Sequence, residues 1–137
     1  MKGLAFFDTN VLLYCDDASA PKKRERAIRL FTEHQRSGSA VISLQVMQEY
    51  FAAATGKLKV DAARAQRKIE LLARGRVIRF AEHDVIAAIE LHRLSQVSFW
   101  DAMIVHAARI SGAERLYSED LQHGSIAGGV QVVNPFL

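Results

Sequence analysis

The chain opens with a short apolar run, Leu4-Ala5-Phe6-Phe7, which is cut off by the polar Asp8-Thr9-Asn10. An unbroken apolar run of this length between polar stops predicts a buried strand. Four later segments have a similar form: Ala40-Val41-Ile42-Ser43, Val77-Ile78-Arg79-Phe80, Arg115-Leu116-Tyr117-Ser118 and Val130-Gln131-Val132-Val133. They predict strands two to five.

Between these runs the apolar period becomes helical. Pro21 suits the first turn of a helix, and Ala27, Leu30, Phe31 and His34 recur at i, i+3, i+4 and i+7 until Gly38 closes the segment. Residues 44–55 predict a second helix ending near Gly56. Asp61 opens a third, which runs through Arg74 and stops at Gly75. A fourth covers about residues 84–96, and a fifth covers 98–111 and is ended by Gly112. Short apolar strands interleaved with helices predict an α/β fold with a central parallel sheet covered on both sides. No repeat, linker or low-complexity segment interrupts the pattern, so residues 1–137 read as one domain.

Composition sharpens this picture in two ways. The single cysteine, Cys15, leaves no internal disulfide, which points to a reducing compartment. The start, Met1-Lys2-Gly3 and a brief apolar run, is too short for a signal peptide, and no segment approaches the roughly 20 apolar residues that span a bilayer. A cytoplasmic protein without a membrane partner is expected. The net charge of +3 conceals an asymmetry: residues 1–79 hold 15 Lys/Arg against 8 Asp/Glu, and residues 80–137 hold 3 against 7. A basic half facing an anionic polymer beside an acidic pocket would produce that split, as would helix surfaces that simply differ in charge.

Four acids fall where an α/β sheet gathers its ligands, at the carboxyl ends of strands. Asp8 follows the first strand, and Asp120 lies just past the fourth after Ser118-Glu119. Asp101 sits in the first turn of the helix that leads into the fourth strand, and Glu49 lies in the helix after the second. Each has an ordinary reading. Asp8 would cap a short turn starting at Thr9, Asp101 stands at capping-box spacing from Ser98, Asp120 would cap the turn before Gly124, and Glu49 would be solvated. Their surroundings favour a different one. Asp101 lies between Phe99-Trp100 and Ala102-Met103-Ile104-Val105, and Glu49 among Val46, Met47, Tyr50 and Phe51. Carboxylates in apolar settings are costly unless a cation pairs with them. Four acids and no nearby lysine imply a metal, and oxygen-only ligation selects Mg2+ or Mn2+ over zinc. The histidines at 34, 83, 92, 106 and 123 show no metal-ligand spacing with cysteine. His106 reads as a packing residue and His123 as an exposed loop residue. Mg2+ held by carboxylates typically works on phosphates.

Taken together, these segments resemble the motifs of PIN-domain nucleases. Phe7-Asp8-Thr9-Asn10-Val11-Leu12-Leu13-Tyr14 is similar to the family's opening motif, and Ser43-Leu44-Gln45-Val46-Met47-Gln48-Glu49 to its second. Ser98-Phe99-Trp100-Asp101 with the apolar helix to Ala108 is similar to its third, and Leu116-Tyr117-Ser118-Glu119-Asp120-Leu121 to its fourth. The resemblance runs from Phe6 to Pro135. It implies a Rossmann-like fold with strand order 3-2-1-4-5 and Mg2+- or Mn2+-dependent endoribonuclease activity, in which a metal-activated water cleaves RNA. It further implies the VapC-type toxin of a type II toxin–antitoxin pair, usually a homodimer silenced by an antitoxin protein. By that likeness Asp8, Asp101 and Asp120 are metal ligands and Glu49 positions water at the metal. Thr9 and Ser118 offer hydroxyls, and Asn10 braces the loop of Asp8. Glu119 departs from the pattern as an added carboxylate, and sequence leaves open whether it joins the metal shell or points outward.

Two basic clusters remain. Lys22, Lys23, Arg24, Arg26 and Arg29 lie on the first long helix, and Arg64, Arg67, Lys68, Arg74, Arg76 and Arg79 lie around the third helix and third strand. Either would hold RNA phosphates or an acidic antitoxin tail, or form a solvated face. Trp100, beside Asp101, reads first as core packing and second as a platform for a base. Three rivals accompany the toxin reading: a non-cleaving RNA- or protein-binding PIN module, an RNA-processing PIN nuclease without an antitoxin, and a haloacid-dehalogenase-like phosphatase. The phosphatase needs a second acid two residues after Asp8, where this chain has Asn10.

Overall fold

A computed structural model describes residues 3–137. The reading of the N-terminal start falls partly on Met1 and Lys2, which lie outside the described residues.

The described elements are β1 (Ala5–Phe7), α1 (Thr9–Tyr14), α2 (Pro21–Arg36), β2 (Ala40–Ser43), α3 (Leu44–Gly56), α4 (Ala62–Leu72), β3 (Arg76–Ile78), α5 (Glu82–Leu94), α6 (Phe99–Ser111), β4 (Arg115–Tyr117), β5 (Ile126–Ala127) and β6 (Val130–Val133). The strands form one sheet in the order β3-β2-β1-β4-β6-β5. All neighbours are parallel except β5, which pairs antiparallel with β6. The expected order 3-2-1-4-5 is therefore present, with the expected fifth strand appearing as β6. The added edge strand β5 has only two residues, too few to leave an apolar signature.

The central strands are apolar because both faces are covered. Phe6, Phe7, Val41, Leu116 and Val132 are all buried. Phe7 meets Phe31 of α2 edge-on at 4.9 Å between ring centroids and Tyr117 of β4 at 5.2 Å. Burial of each such ring stabilises the fold by about 1.5–3 kcal/mol. Helix α6 lies against β1, β2, β4 and β6, and α5 packs on α6. Gly112, at φ 78°, ends α6 in the left-handed conformation that glycine adopts without a Cβ clash.

Three readings change. The segment after Asp8 is a six-residue helix, α1, rather than a short turn. Strand β3 begins at Arg76 and ends at Ile78, earlier than the apolar run suggested. Helix α5 starts at Glu82, so Asp84 lies inside its first turn, where its Oδ2 accepts from the Ala81 backbone N–H at 2.9 Å. His106 is buried, as expected of a packing residue, and it is also hydrogen-bonded. Its Nε2 meets Asp84 Oδ1 at 2.9 Å and its Nδ1 meets Arg109 Nη2 at 2.5 Å, which ties α5 to α6. His123 accepts the Asn134 backbone N–H at Nδ1, 2.9 Å, and so fastens its loop.

Among the described residues, no helix is long and apolar enough to cross a membrane.

Candidate active site

Four separate elements bring the acids to one end of the sheet. Strand order reverses beside β1, with β2 on one side and β4 on the other, which is where open α/β sheets form their crevice. Asp8 leaves β1 and caps α1, its Oδ1 accepting the Thr9 N–H at 2.7 Å. The cap uses one oxygen of Asp8, and the other, Oδ2, faces Ser118 and Asn10. Strand β2 passes into α3 without a loop. Ser43 caps that helix by accepting the Val46 N–H at 3.2 Å, and Glu49 lies in the turns beyond. Ser98 caps α6 by accepting the Asp101 N–H at 3.1 Å, so Asp101 is the third helical residue. Asp120 follows β4 by three residues.

Asp8, Glu49, Asp101 and Asp120 all line a single cavity of about 610 Å3, together with Thr9, Asn10, Leu13, Ala52, Ala53, Lys57, Trp100 and Ile104. The acids are held from behind. Ser118, fully buried, donates Oγ–H to Asp8 Oδ2 at 2.8 Å and accepts the Asp120 N–H at 3.2 Å. Asn10 Nδ2 donates to Asp120 Oδ2 at 3.0 Å and lies 3.4 Å from Asp8 Oδ2. The Thr9 hydroxyl donates to Glu49 Oε1 at 2.6 Å, and Gln45 Nε2 donates to Glu49 Oε2 at 3.2 Å. Asp120 is therefore an acceptor for Asn10 rather than the turn cap considered from sequence. Thr9, Asn10 and Ser118 thus each hydrogen-bond at least one of the four acids.

The electrostatics reflect burial first and crowding of like charge second. Asp8 is only 4% exposed, and burial above all pushes its carboxyl up to about 7. Hydrogen bonds from Ser118 and Thr9 oppose that rise, while the charges of Asp120 and Asp101 add to it. Asp101 is also raised, first by burial and then by Asp120 and Glu49. Among the described residues, no ion pair reaches any of the four acids. Buried carboxylates that repel one another favour either protonation or a shared cation. The donor set, all oxygen with one acid deeply buried, fits a hard divalent ion such as Mg2+ or Mn2+. Among the described residues, no group of three acid, histidine or cysteine side chains is drawn close enough to hold such an ion as it stands. The carboxylates of Asp8, Glu49 and Asp120 are turned instead to Thr9, Asn10, Gln45 and Ser118.

Glu119 stands apart from this group. It does not line the cavity but accepts from Tyr14 Oη at 2.6 Å and pairs with Lys23 Nζ at 2.5 Å. Burial tends to raise its carboxyl, yet Lys23 and Tyr14 together outweigh that and hold it below its ordinary value. None of the other basic residues of α2 lines the cavity: Lys22 is exposed, Arg26 donates to the Pro135 carbonyl at 3.1 Å, and Arg29 pairs with Glu25 at 2.9 Å. Trp100 is 61% exposed at the cavity rim, so its core-packing reading is overturned. The reason is its place in the first turn of α6, where the buried face is formed by Ala102, Val105 and His106. Lys57, which follows α3, lines the cavity and corrects the expectation that no lysine stands near the acids. Its sequence signal was slight: a lone lysine two turns beyond Glu49.

A mostly parallel sheet with helices around it and four acids at its switch point defines an α/β fold of PIN type. The chain belongs to the PIN domain family, whose profile matches residues 5–129. No curated protein sequence matches it. Among solved structures it is similar to the VapC20 toxin of Mycobacterium tuberculosis, described as cleaving the sarcin–ricin loop. That match has 24% identity over 85% of this chain and 89% of that one, with a TM-score of 0.68. It is similar to a chain of a toxin–antitoxin complex from Klebsiella pneumoniae, at 21% identity over 96% and 97% with a TM-score of 0.68. A third similarity is to FitAB bound to an IR36 DNA fragment, at 20% identity over 98% and 96% with a TM-score of 0.72. At these identities the likeness establishes the fold.

Proposed function

We propose that this protein is a Mg2+- or Mn2+-dependent endoribonuclease and the cytoplasmic toxin of a type II toxin–antitoxin pair, acting as a homodimer and silenced by an antitoxin protein. One observation carries the nuclease reading: Asp8, Glu49, Asp101 and Asp120, from four separate elements, line one cavity with no ion pair among the described residues to offset their charge. Membership of the PIN domain family supports it. The toxin reading is supported by the structural neighbours, two of which are described as a toxin and as part of a toxin–antitoxin complex.

Asp8, Asp101 and Asp120 would hold the cation, and Glu49, braced by Thr9, would orient water. When bound, the cation supplies an acidified water and neutralises charge on the phosphodiester. Asn10 and Ser118 fix Asp8 and Asp120 relative to one another. Lys57 and Trp100 also line the cavity and would contact a neighbouring phosphate and an unstacked base.

Purified protein is expected to cleave single-stranded RNA with Mg2+ or Mn2+ and to stop when EDTA is added. Asp8→Asn or Asp101→Asn should abolish cleavage while circular dichroism stays native. Undiminished cleavage by either variant overturns the reading. Tight RNA binding without cleavage over a broad RNA panel favours a non-cleaving PIN module. Growth arrest on expression, relieved by a small protein encoded next to this one, tests the toxin assignment, and absence of arrest favours an RNA-processing nuclease.

A further inference from the structure

We propose that Glu119, Lys23 and Tyr14 form a clamp that positions Asp120 from outside the cavity, so that the extra carboxylate of this chain is a positioning residue and not a metal ligand. What the clamp says of catalysis rests on the metal-dependent reading above, whereas its geometry does not.

Both carboxylate oxygens of Glu119 are engaged away from the acids. Oε1 accepts from Tyr14 Oη at 2.6 Å, and Oε2 pairs with Lys23 Nζ at 2.5 Å. Lys23 Nζ also donates to Tyr14 Oη at 3.3 Å, closing a three-membered ring of contacts between α1, α2 and the loop after β4. The ammonium lies 4.9 Å from the Tyr14 ring centroid and 5.7 Å from that of Phe136, and the two rings meet edge-on at 4.9 Å. Aromatic faces attract a cation and limit its freedom to turn toward solvent.

The clamp reaches the cavity through the backbone. The Glu119 N–H donates to Asn10 Oδ1 at 3.1 Å, and the same amide donates from Nδ2 to Asp120 Oδ2 at 3.0 Å. Asn10 thus reads the position of residue 119 with one end and orients the Asp120 carboxylate with the other. Asp120 is itself exposed, without the burial that fixes Asp8, so Ser118 Oγ holds its backbone N–H while Asn10 alone places its carboxylate among the described contacts. Drawing Glu119 toward α1 and α2 holds Asn10 and Asp120 in register. Lys23, which charge patterning left open to RNA, an antitoxin tail or a solvated face, is occupied here by Glu119 and Tyr14.

The test uses the full chain in the forms K23M, E119Q, the double variant and the charge swap K23E/E119K, with two readouts. The first is backbone amide exchange by NMR in metal-free protein. Both single variants should speed exchange at Glu119 and Asp120 to the same extent, the double variant no further, with Phe6, Val41 and Leu116 unchanged. The second is Mn2+ affinity, measured with Mn2+ alone. Both single variants should weaken it about tenfold, as loss of an outer support does, and the swap should restore most of it. Unchanged exchange in K23M overturns the clamp, whether or not the wild type binds Mn2+. Loss of Mn2+ binding in E119Q with K23M intact also overturns it, by making Glu119 a ligand. Failure of wild-type protein to take up Mn2+ contradicts the metal reading alone, and the exchange result then decides the clamp.

Discussion

The Thr9 hydroxyl donates to Glu49 Oε1 at 2.6 Å, joining the first residue of α1 to the helix after β2 across 40 positions of sequence. Thr9 is buried, and Gln45 holds the other oxygen of Glu49, so the carboxylate is fixed from two sides. Thr9→Val keeps the shape and removes the donor. Loss of one such bond costs about 1 kcal/mol of stability. Single-turnover cleavage should fall by roughly tenfold or more with little change in KM, and Thr9→Ser should recover it. A Thr9→Val enzyme as fast as wild type would disconnect Glu49 from the chemistry.

Asp8 makes stability depend on pH in an unusual direction. Its folded value is raised from the ordinary 3.8 to about 7, so the folded chain binds the proton more tightly than the unfolded one. The resulting stabilisation is complete below about pH 4 and is lost as pH rises through 7, at roughly 1.4 kcal/mol per unit between the two values. Metal-free Asp8→Asn should therefore melt higher than wild type at pH 8, with the gap closing toward pH 5. Mg2+ should raise the melting temperature of wild type most at the alkaline end and leave the variant unmoved. A metal-free variant that melts lower than wild type at pH 8 contradicts the burial argument.

Asp84 works in the opposite sense. The hydrogen bond from His106, followed by that from the Ala81 backbone, lowers its carboxyl below the ordinary value. Stability from this source is present above the unfolded value and disappears as pH falls through the folded one. Asp84→Ala should lower the melting temperature at pH 7, and by much less at pH 3. Equal losses at both values would show that packing, not charge, ties α5 to α6.

Trp100 is the sole tryptophan and stands exposed on the cavity rim, so its fluorescence reports on that rim alone. Single-stranded RNA added in EDTA should quench the emission, because a stacked base couples to the indole. Trp100→Ala should weaken binding by about 1–3 kcal/mol. Emission that stays constant through saturation with RNA would remove Trp100 from the interface.

Much of the architecture was legible because burial on both faces leaves continuous apolar runs, as in Ala5-Phe6-Phe7 and Leu116-Tyr117. The four acids were legible for a related reason: Asp8 and Asp120 follow apolar strands, and Glu49 and Asp101 interrupt apolar helices. Helix α1 was hidden because six residues are too few to show a helical period after the Asp8 cap. Strand β5 was hidden because two residues held by one antiparallel pairing carry no pattern. Side-chain direction was the larger loss. Glu119 and Asp120 are neighbours in sequence, yet one faces Lys23 and the other the cavity, and no spacing rule separates them. Likewise Lys23 and Lys22 look alike in a charge count, although only Lys23 is paired with Glu119. Trp100 looked apolar enough for the core, but first-turn geometry on α6 leaves it outside.

The central claim is that the four acids at the end of β1 and β4 share a hard cation, and a crystal soaked in Mn2+ tests it most directly. Anomalous scattering should reveal a peak within the cavity, bonded to Asp8 and at least one of Asp101 and Asp120 at about 2.0–2.2 Å, the range of hard octahedral cations. A saturating soak that leaves the cavity without a peak, with Asp8, Glu49 and Asp120 still turned to Thr9, Asn10, Gln45 and Ser118, would contradict it.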